Sequence, residues 1–115
     1  MNQLIAHLIG DYVLQSHWMA VNKTKRWFPA IIHGICYTLP FLFLSQNPLT
    51  IAIICGTHIL IDRFALAKYI ARIKNWTFTD NGYPVETPIW LSVWLNIILD
   101  NTLHIIINNY ALMIK

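Results

Sequence analysis

The stretch Thr57-His58-Ile59-Leu60-Ile61-Asp62-Arg63 sets an imidazole and a carboxylate four residues apart inside a long apolar run. Two more His/Asp pairs share that spacing, His7 with Asp11 and, in reversed order, Asp100 with His104. On a helix, residues four apart lie on one face about one turn apart, so each pair presents two ligating groups in one direction. Such groups are costly in apolar surroundings unless they meet one another. The chain is thereby constrained to helices whose titratable faces converge and whose apolar faces point away.

Charge is otherwise scarce. The 115 residues are 57% hydrophobic and 11% charged, with a mean hydropathy of +0.50, against about 25% charged in an ordinary soluble domain. Too few polar side chains remain to cover a soluble surface, and the lipid bilayer is the expected surrounding. The net charge of +3 does not point to nucleic acid, because the Lys and Arg residues sit beside apolar runs and form no basic stripe. Cys36 and Cys55 lack metal or redox spacing and read as buried free thiols. No cleavable signal peptide is expected, since the N-terminus has no basic region and Gln3, His7, Asp11 and Gln15 interrupt its apolar stretch.

Periodicity predicts a single transmembrane domain over residues 1–115, an all-α integral membrane four-helix bundle. The first helix, residues 2–21, carries Gln3, His7, Asp11 and Gln15 as a stripe at every fourth position. At roughly 30 Å it either crosses the bilayer or lies in its interface. A basic loop with Lys23, Lys25 and Arg26 follows, and Trp27-Phe28-Pro29 opens a second helix that reaches about residue 44 and bends at Pro40. After an uncharged turn over 45–48, a third helix runs from about residue 49 to 73, holds His58 and Asp62, and ends among Lys68, Arg72 and Lys74. Residues 75–87 are polar, with a turn at Asp80-Asn81-Gly82-Tyr83-Pro84. From Pro88 to Ile114 the chain is again apolar, apart from a second stripe of Ser92, Asn96, Asp100, His104 and Asn108. With four spans both basic segments share one side, which the positive-inside rule assigns to the cytoplasm, leaving both termini outside.

This arrangement puts Asp11, His58, Asp62 and Asp100 near the midplane, His33 toward the cytoplasm and His104 toward the outside. Converging carboxylates repel unless a cation joins them, and a mixed imidazole and carboxylate set suits Zn, Mn or Fe better than Ca. The expected metal ligands are His7, Asp11, His58, Asp62, Asp100 and His104, with His58, Asp62, Asp100 and His7 innermost. Asp11, His33 and His104 are the catalytic candidates, as base or further ligands. The set exceeds the four ligands of a closed site and leaves room for a water made acidic enough to attack near neutral pH. Hydrolysis of a lipid or other membrane-embedded substrate is the leading expectation. Two readings of other classes stand beside it: a proton or cation pathway through the same groups, and a non-catalytic polar network that fixes helix register or binds a partner helix. Arg63 is expected to pair with Asp62 or to snorkel, and the tryptophans to anchor at the interface.

His7-Leu8-Ile9-Gly10-Asp11-Tyr12-Val13-Leu14-Gln15, Thr57 to Arg63, Trp94 and Asp100-Asn101-Thr102-Leu103-His104 together resemble the signature of a bacterial and phage domain-of-unknown-function family of small integral membrane proteins. The resemblance covers nearly the whole chain. It implies the bacterial inner membrane as location and a phage or prophage origin with a host-directed accessory role. More distantly, His-x3-Asp on an apolar helix is similar to membrane-bound metal-dependent hydrolases, and that likeness implies hydrolysis with ligand roles for His7, Asp11, His33, His58, Asp62, Asp100 and His104. The chain is shorter than those proteins and lacks their further histidine motifs.

Overall fold

A computed structural model describes residues 1–115, which form helices and connecting turns with no strand. The chain divides into two compact units, one of Met1–Phe64 with His104–Lys115 and one of Ala65–Leu103.

In the first unit, α1 (Gln3–Leu8) starts at Asn2, whose Oδ1 accepts the Ile5 N–H at 3.0 Å, a standard way to satisfy a free helix-end donor. The chain then widens into a π turn over Ile9–Val13, in which the Leu14 N–H reaches back five residues to the Ile9 carbonyl at 2.9 Å. After a short break α2 (His17–Asn22) begins at Ser16, whose Oγ accepts the Met19 N–H. The expected continuous helix over 2–21 is thus two six-residue helices flanking a π turn. Gly10 disfavours a regular helix, and its missing side chain is needed here, since a Cβ would come within 2.7 Å of Tyr37 Cδ2 and the Tyr37 carbonyl.

The second helix follows expectation more closely. α3 (Trp27–Thr38) tightens into a 3-10 turn over Leu39–Phe43, where Pro40 supplies no N–H for the α-ladder. α4 (Pro48–Phe64) starts on a proline, with the Asn47 Oδ1 accepting the Leu49 N–H at 2.9 Å. α3 and α4 lie close enough that a Cβ on Gly34 would overlap the Ile59 side chain. The last segment of this unit, from His104 onward, belongs to α6 (Ile89–Leu112), a 24-residue helix that matches the expected 88–114.

Ala6, Tyr37, Phe41, Ile54 and Ala111 form the small apolar core of the first unit. Beside them the buried side chains are His7, Asp11, His33, Thr38, Thr50, His58, Asp62, His104 and Asn108. The large apolar residues lie outside instead, among them Leu4, Ile5, Ile31, Ile35, Leu39, Leu42, Phe43 and Leu60.

The second unit opens where the expected helix over 49–73 breaks. Ala65 adopts a left-handed conformation (φ 49°, ψ 54°), and α5 (Leu66–Asn75) follows it. No glycine or proline marks the break, so the apolar periodicity runs through it unsignalled. The Arg72 guanidinium donates to the Thr79 and Asp80 carbonyls at 2.8 and 3.0 Å, and Asn75 Nδ2 donates to the Gly82 carbonyl. These bonds hold the polar loop against α5.

One helix, Ile89–Leu112, is long and apolar enough to cross a membrane, and only 11% of its most apolar window is buried in the protein. Substituting Gly34→Val should destabilise the α3–α4 contact by about 1–3 kcal/mol through overpacking. Gly56→Ala, where a Cβ meets nothing within 4 Å, should be neutral or stabilise by up to about 1 kcal/mol; thermal unfolding followed by circular dichroism compares the two.

Candidate metal centre

Four elements deliver the polar interior of the first unit. The π turn carries Asp11, α3 carries His33, α4 carries His58 and Asp62, and the end of α6 carries His104. One ligand atom from each of Asp11, His33, His58 and Asp62 lies within 4.8 Å of the others, and all four residues are buried.

The spacing within that group is informative. His33 Nε2 lies 2.9 Å from His58 Nε2, 3.1 Å from Asp11 Oδ1 and 3.1 Å from Asp62 Oδ2. His58 Nε2 lies 3.0 Å from Asp62 Oδ2 and 3.4 Å from Asp11 Oδ1. Ligands at the ~2.0–2.1 Å bond lengths of a tetrahedral zinc site stand roughly 3.3 Å apart. These five edges match a tetrahedron of that size, slightly contracted.

Hydrogen-bond chemistry restricts the tautomers in this group. His104 Nε2 faces Asp62 Oδ1 at 3.2 Å, and a carboxylate only accepts, so the proton of a neutral His104 sits on Nε2. Its Nδ1 is then an acceptor for His58 Nδ1–H, 3.2 Å away. A neutral His58 is left with a bare Nε2 that faces two carboxylate oxygens and a third ring nitrogen. A His33 proton on Nε2 would be shared among Asp11 Oδ1, Asp62 Oδ2 and this nitrogen; a divalent cation in its place would meet all four groups, and neutral imidazole with carboxylate is a donor set that binds divalent transition metals. His104 acts on the outer side of this set, holding both Asp62 and the tautomer of His58, the arrangement that orients ligands in metal sites.

His7 is tied in from the opposite side. Asn108 Nδ2 donates to the Tyr37 hydroxyl at 2.7 Å, and that hydroxyl is 2.8 Å from His7 Nδ1. The Tyr37 O–H therefore donates to His7 and places the proton of a neutral His7 on Nε2, 3.8 Å from Asp11 Oδ2. The Tyr37 ring also stacks on His58, centroids 3.6 Å apart and planes 11° from parallel.

Of the residues singled out by sequence, Asp11, His58 and Asp62 enter the four-residue group, and His33, expected nearer one membrane face, joins them. His104, expected nearer the other face, is one imidazole away from His33, since both contact His58. His7 borders the group through Asp11. Asp100 stands one turn before His104 on α6, half-buried and outside the four.

Two participants carry no spacing signal. Lys23, read as part of a basic loop, places Nζ 2.9 Å from Asp62 Oδ2, with its side chain 19% exposed against 2% for Asp62. Tyr37 passes for an ordinary apolar-face aromatic. Arg63 does not take the partner expected of it: Nη1 donates to the Thr24 carbonyl at 2.8 Å and the guanidinium lies over the Trp27 ring, while Lys23 pairs with Asp62.

An all-helical protein with a buried histidine and aspartate cluster able to hold a metal ion is the class that this fold and site define. Within it, the chain belongs to the DUF3307 family of proteins of unknown function, whose profile matches residues 1–113. No curated protein and no solved structure matches the chain.

Asp62→Asn preserves shape but removes the charge that faces Lys23, His33, His58 and His104. Breaking a buried pair from one side costs about 3–5 kcal/mol, so chemical denaturation of the metal-free protein should show a loss of that size. Lys23→Met, at the more exposed end of the pair, should cost less.

Proposed function

We propose that the protein is a membrane-integrated metalloprotein in which Asp11, His33, His58 and Asp62 hold a divalent transition metal, zinc before manganese or iron, and that its chemistry is hydrolysis of a membrane-associated substrate. The observation that carries this reading is the set of five donor separations of 2.9–3.4 Å, gathered from three helical segments around one point. The apolar exterior and the length of Ile89–Leu112 support the membrane setting, and with it a bundle of membrane helices in a bacterial inner membrane.

When bound, the ion would supply Lewis acidity. The protein's own part is to orient and to move protons. Asp11 and Asp62 balance the charge, and His33 and His58 offer neutral ring nitrogens. His104 and His7 hold Asp62 and Asp11 from outside the four-residue group, and Asp11, whose Oδ2 lies 3.8 Å from His7 Nε2, is the group placed to take a proton.

Elemental analysis of purified protein should find about one zinc per chain. His58→Ala and His33→Ala should each lose it while remaining helical. A metal-free preparation that cannot be reloaded with zinc would overturn the assignment. Because the ligands must be neutral imidazole and ionised carboxylate, protons compete with the metal. Zinc affinity should fall as pH is lowered and the ligands take up protons, and a competition titration with a chromogenic chelator measures it. For the hydrolytic step, zinc-loaded protein incubated with bacterial lipid extract should release water-soluble products by mass spectrometry, and Asp11→Asn should abolish the release.

A second reading has its own observation. Three imidazoles in hydrogen-bonding contact, His33, His58 and His104, link Asp11 Oδ1 to Asp62 Oδ1, which is the connectivity a proton relay requires. In proteoliposomes a relay dissipates an imposed pH gradient, whereas a hydrolase leaves it intact.

A further inference from the structure

The Lys23 ammonium occupies an unusual place: its partner oxygen, Asp62 Oδ2, is the one that also faces His33 and His58. Asp62 is 2% exposed at its side chain and Lys23 is 19% exposed, so this lysine leads from the dry cluster to the surface. A metal on Asp62 neutralises the charge that holds Lys23. The ammonium carries three donors, of which one meets Asp62 Oδ2, and so can also take a second anion.

Its surroundings indicate which. Lys25 and Arg26 follow on the same loop, exposed and in no ion pair. Arg63, the residue after Asp62, fastens the loop by donating from Nη1 to the Thr24 carbonyl, and its guanidinium lies over the Trp27 ring. Around these cations stand Trp18, Trp27 and Phe28, which are 40%, 46% and 65% exposed. Cations interleaved with exposed amphipathic aromatics are the chemistry of the lipid headgroup level. Guanidinium and ammonium groups bind phosphate oxygens strongly.

We infer that Lys23, with Arg63 and the Lys25-Arg26 loop, forms a receptor for the phosphate of an anionic phospholipid, presenting the headgroup to the metal centre. The inference rests on the metal-centre reading and adds the substrate class to it. The phosphate is held by Lys23 on the side facing the metal and by Arg63 on the side facing water, with the acyl chains running beside Trp27 and Phe28.

The test is calorimetric titration of zinc-loaded protein in uncharged detergent with phosphatidylglycerol, with diacylglycerol as the uncharged lipid and inorganic phosphate as the isolated anion. Phosphatidylglycerol should bind, diacylglycerol should not, and inorganic phosphate should bind more weakly than the lipid. Lys23→Met should keep its zinc and lose about ten-fold or more in phosphatidylglycerol affinity, as expected for one charge-assisted hydrogen bond, and Lys23→Arg should restore most of it. Wild-type protein without zinc overturns the metal centre and this inference together. Wild type that holds zinc but does not respond to phosphatidylglycerol overturns this inference alone, as does equal affinity in Lys23→Met. Zinc loss in Lys23→Met would make the lysine a support of the metal instead, and inorganic phosphate binding as tightly as the lipid would remove the lipid from the assignment.

Discussion

The Asp62 carboxylate is the interaction on which the first unit depends. A buried negative charge is tolerated only when it is compensated and fully hydrogen-bonded, and Asp62 draws Lys23, His33, His58 and His104 from four separate stretches of chain to meet that demand. Each of those groups in turn needs a position fixed to within a few tenths of an ångström. Helix packing supplies it: Gly34 lets α3 approach α4, and Gly10 lets the π turn approach Tyr37. Small residues at such contacts let helix backbones come close.

The interior is therefore specified by electrostatics and hydrogen bonding more than by apolar packing. Its apolar core is small, and the polar atoms around it form two linked chains, one from Asn108 through Tyr37 to His7, the other from Asp62 through His104 to His58. Tyr37 joins them, hydrogen-bonded to the first and stacked on the second. A network of this sort gains from low dielectric when complete and is costly when a member is missing. Its members restrict one another's tautomers, which is how a cluster of rings presents lone pairs in one direction.

Much of this was legible in the sequence. The His58/Asp62 spacing inside an apolar run announced a buried pair, and the apolar lengths of 27–44 and 88–114 gave helices close to those observed. What escaped were features that depend on tertiary contact. The break at Ala65 has no local breaker residue, and the π turn follows from the approach of Gly10 to Tyr37, which periodicity along one segment cannot register. Lys23 stands outside every fourfold stripe yet reaches Asp62, as does His33, which the sequence offers as a candidate by its chemistry and not by its spacing. Single-helix spacing finds ligands that share a helix. It is blind to a ligand that another helix contributes alone.

The π turn has a consequence for how this chain tolerates change in length. A π turn holds one residue more than the α-turn it replaces, so deletion of Ile9, at its start, would let the segment relax into a regular helix. The part of the chain before the deletion would rotate by about 100° against the part after it, carrying His7 off the Tyr37 hydroxyl while Asp11 kept its place. The N-terminal turn is thus indexed to the rest of the protein like a key cut with one extra tooth, and a single-codon loss there would uncouple the two carboxylate environments without altering one of their side chains.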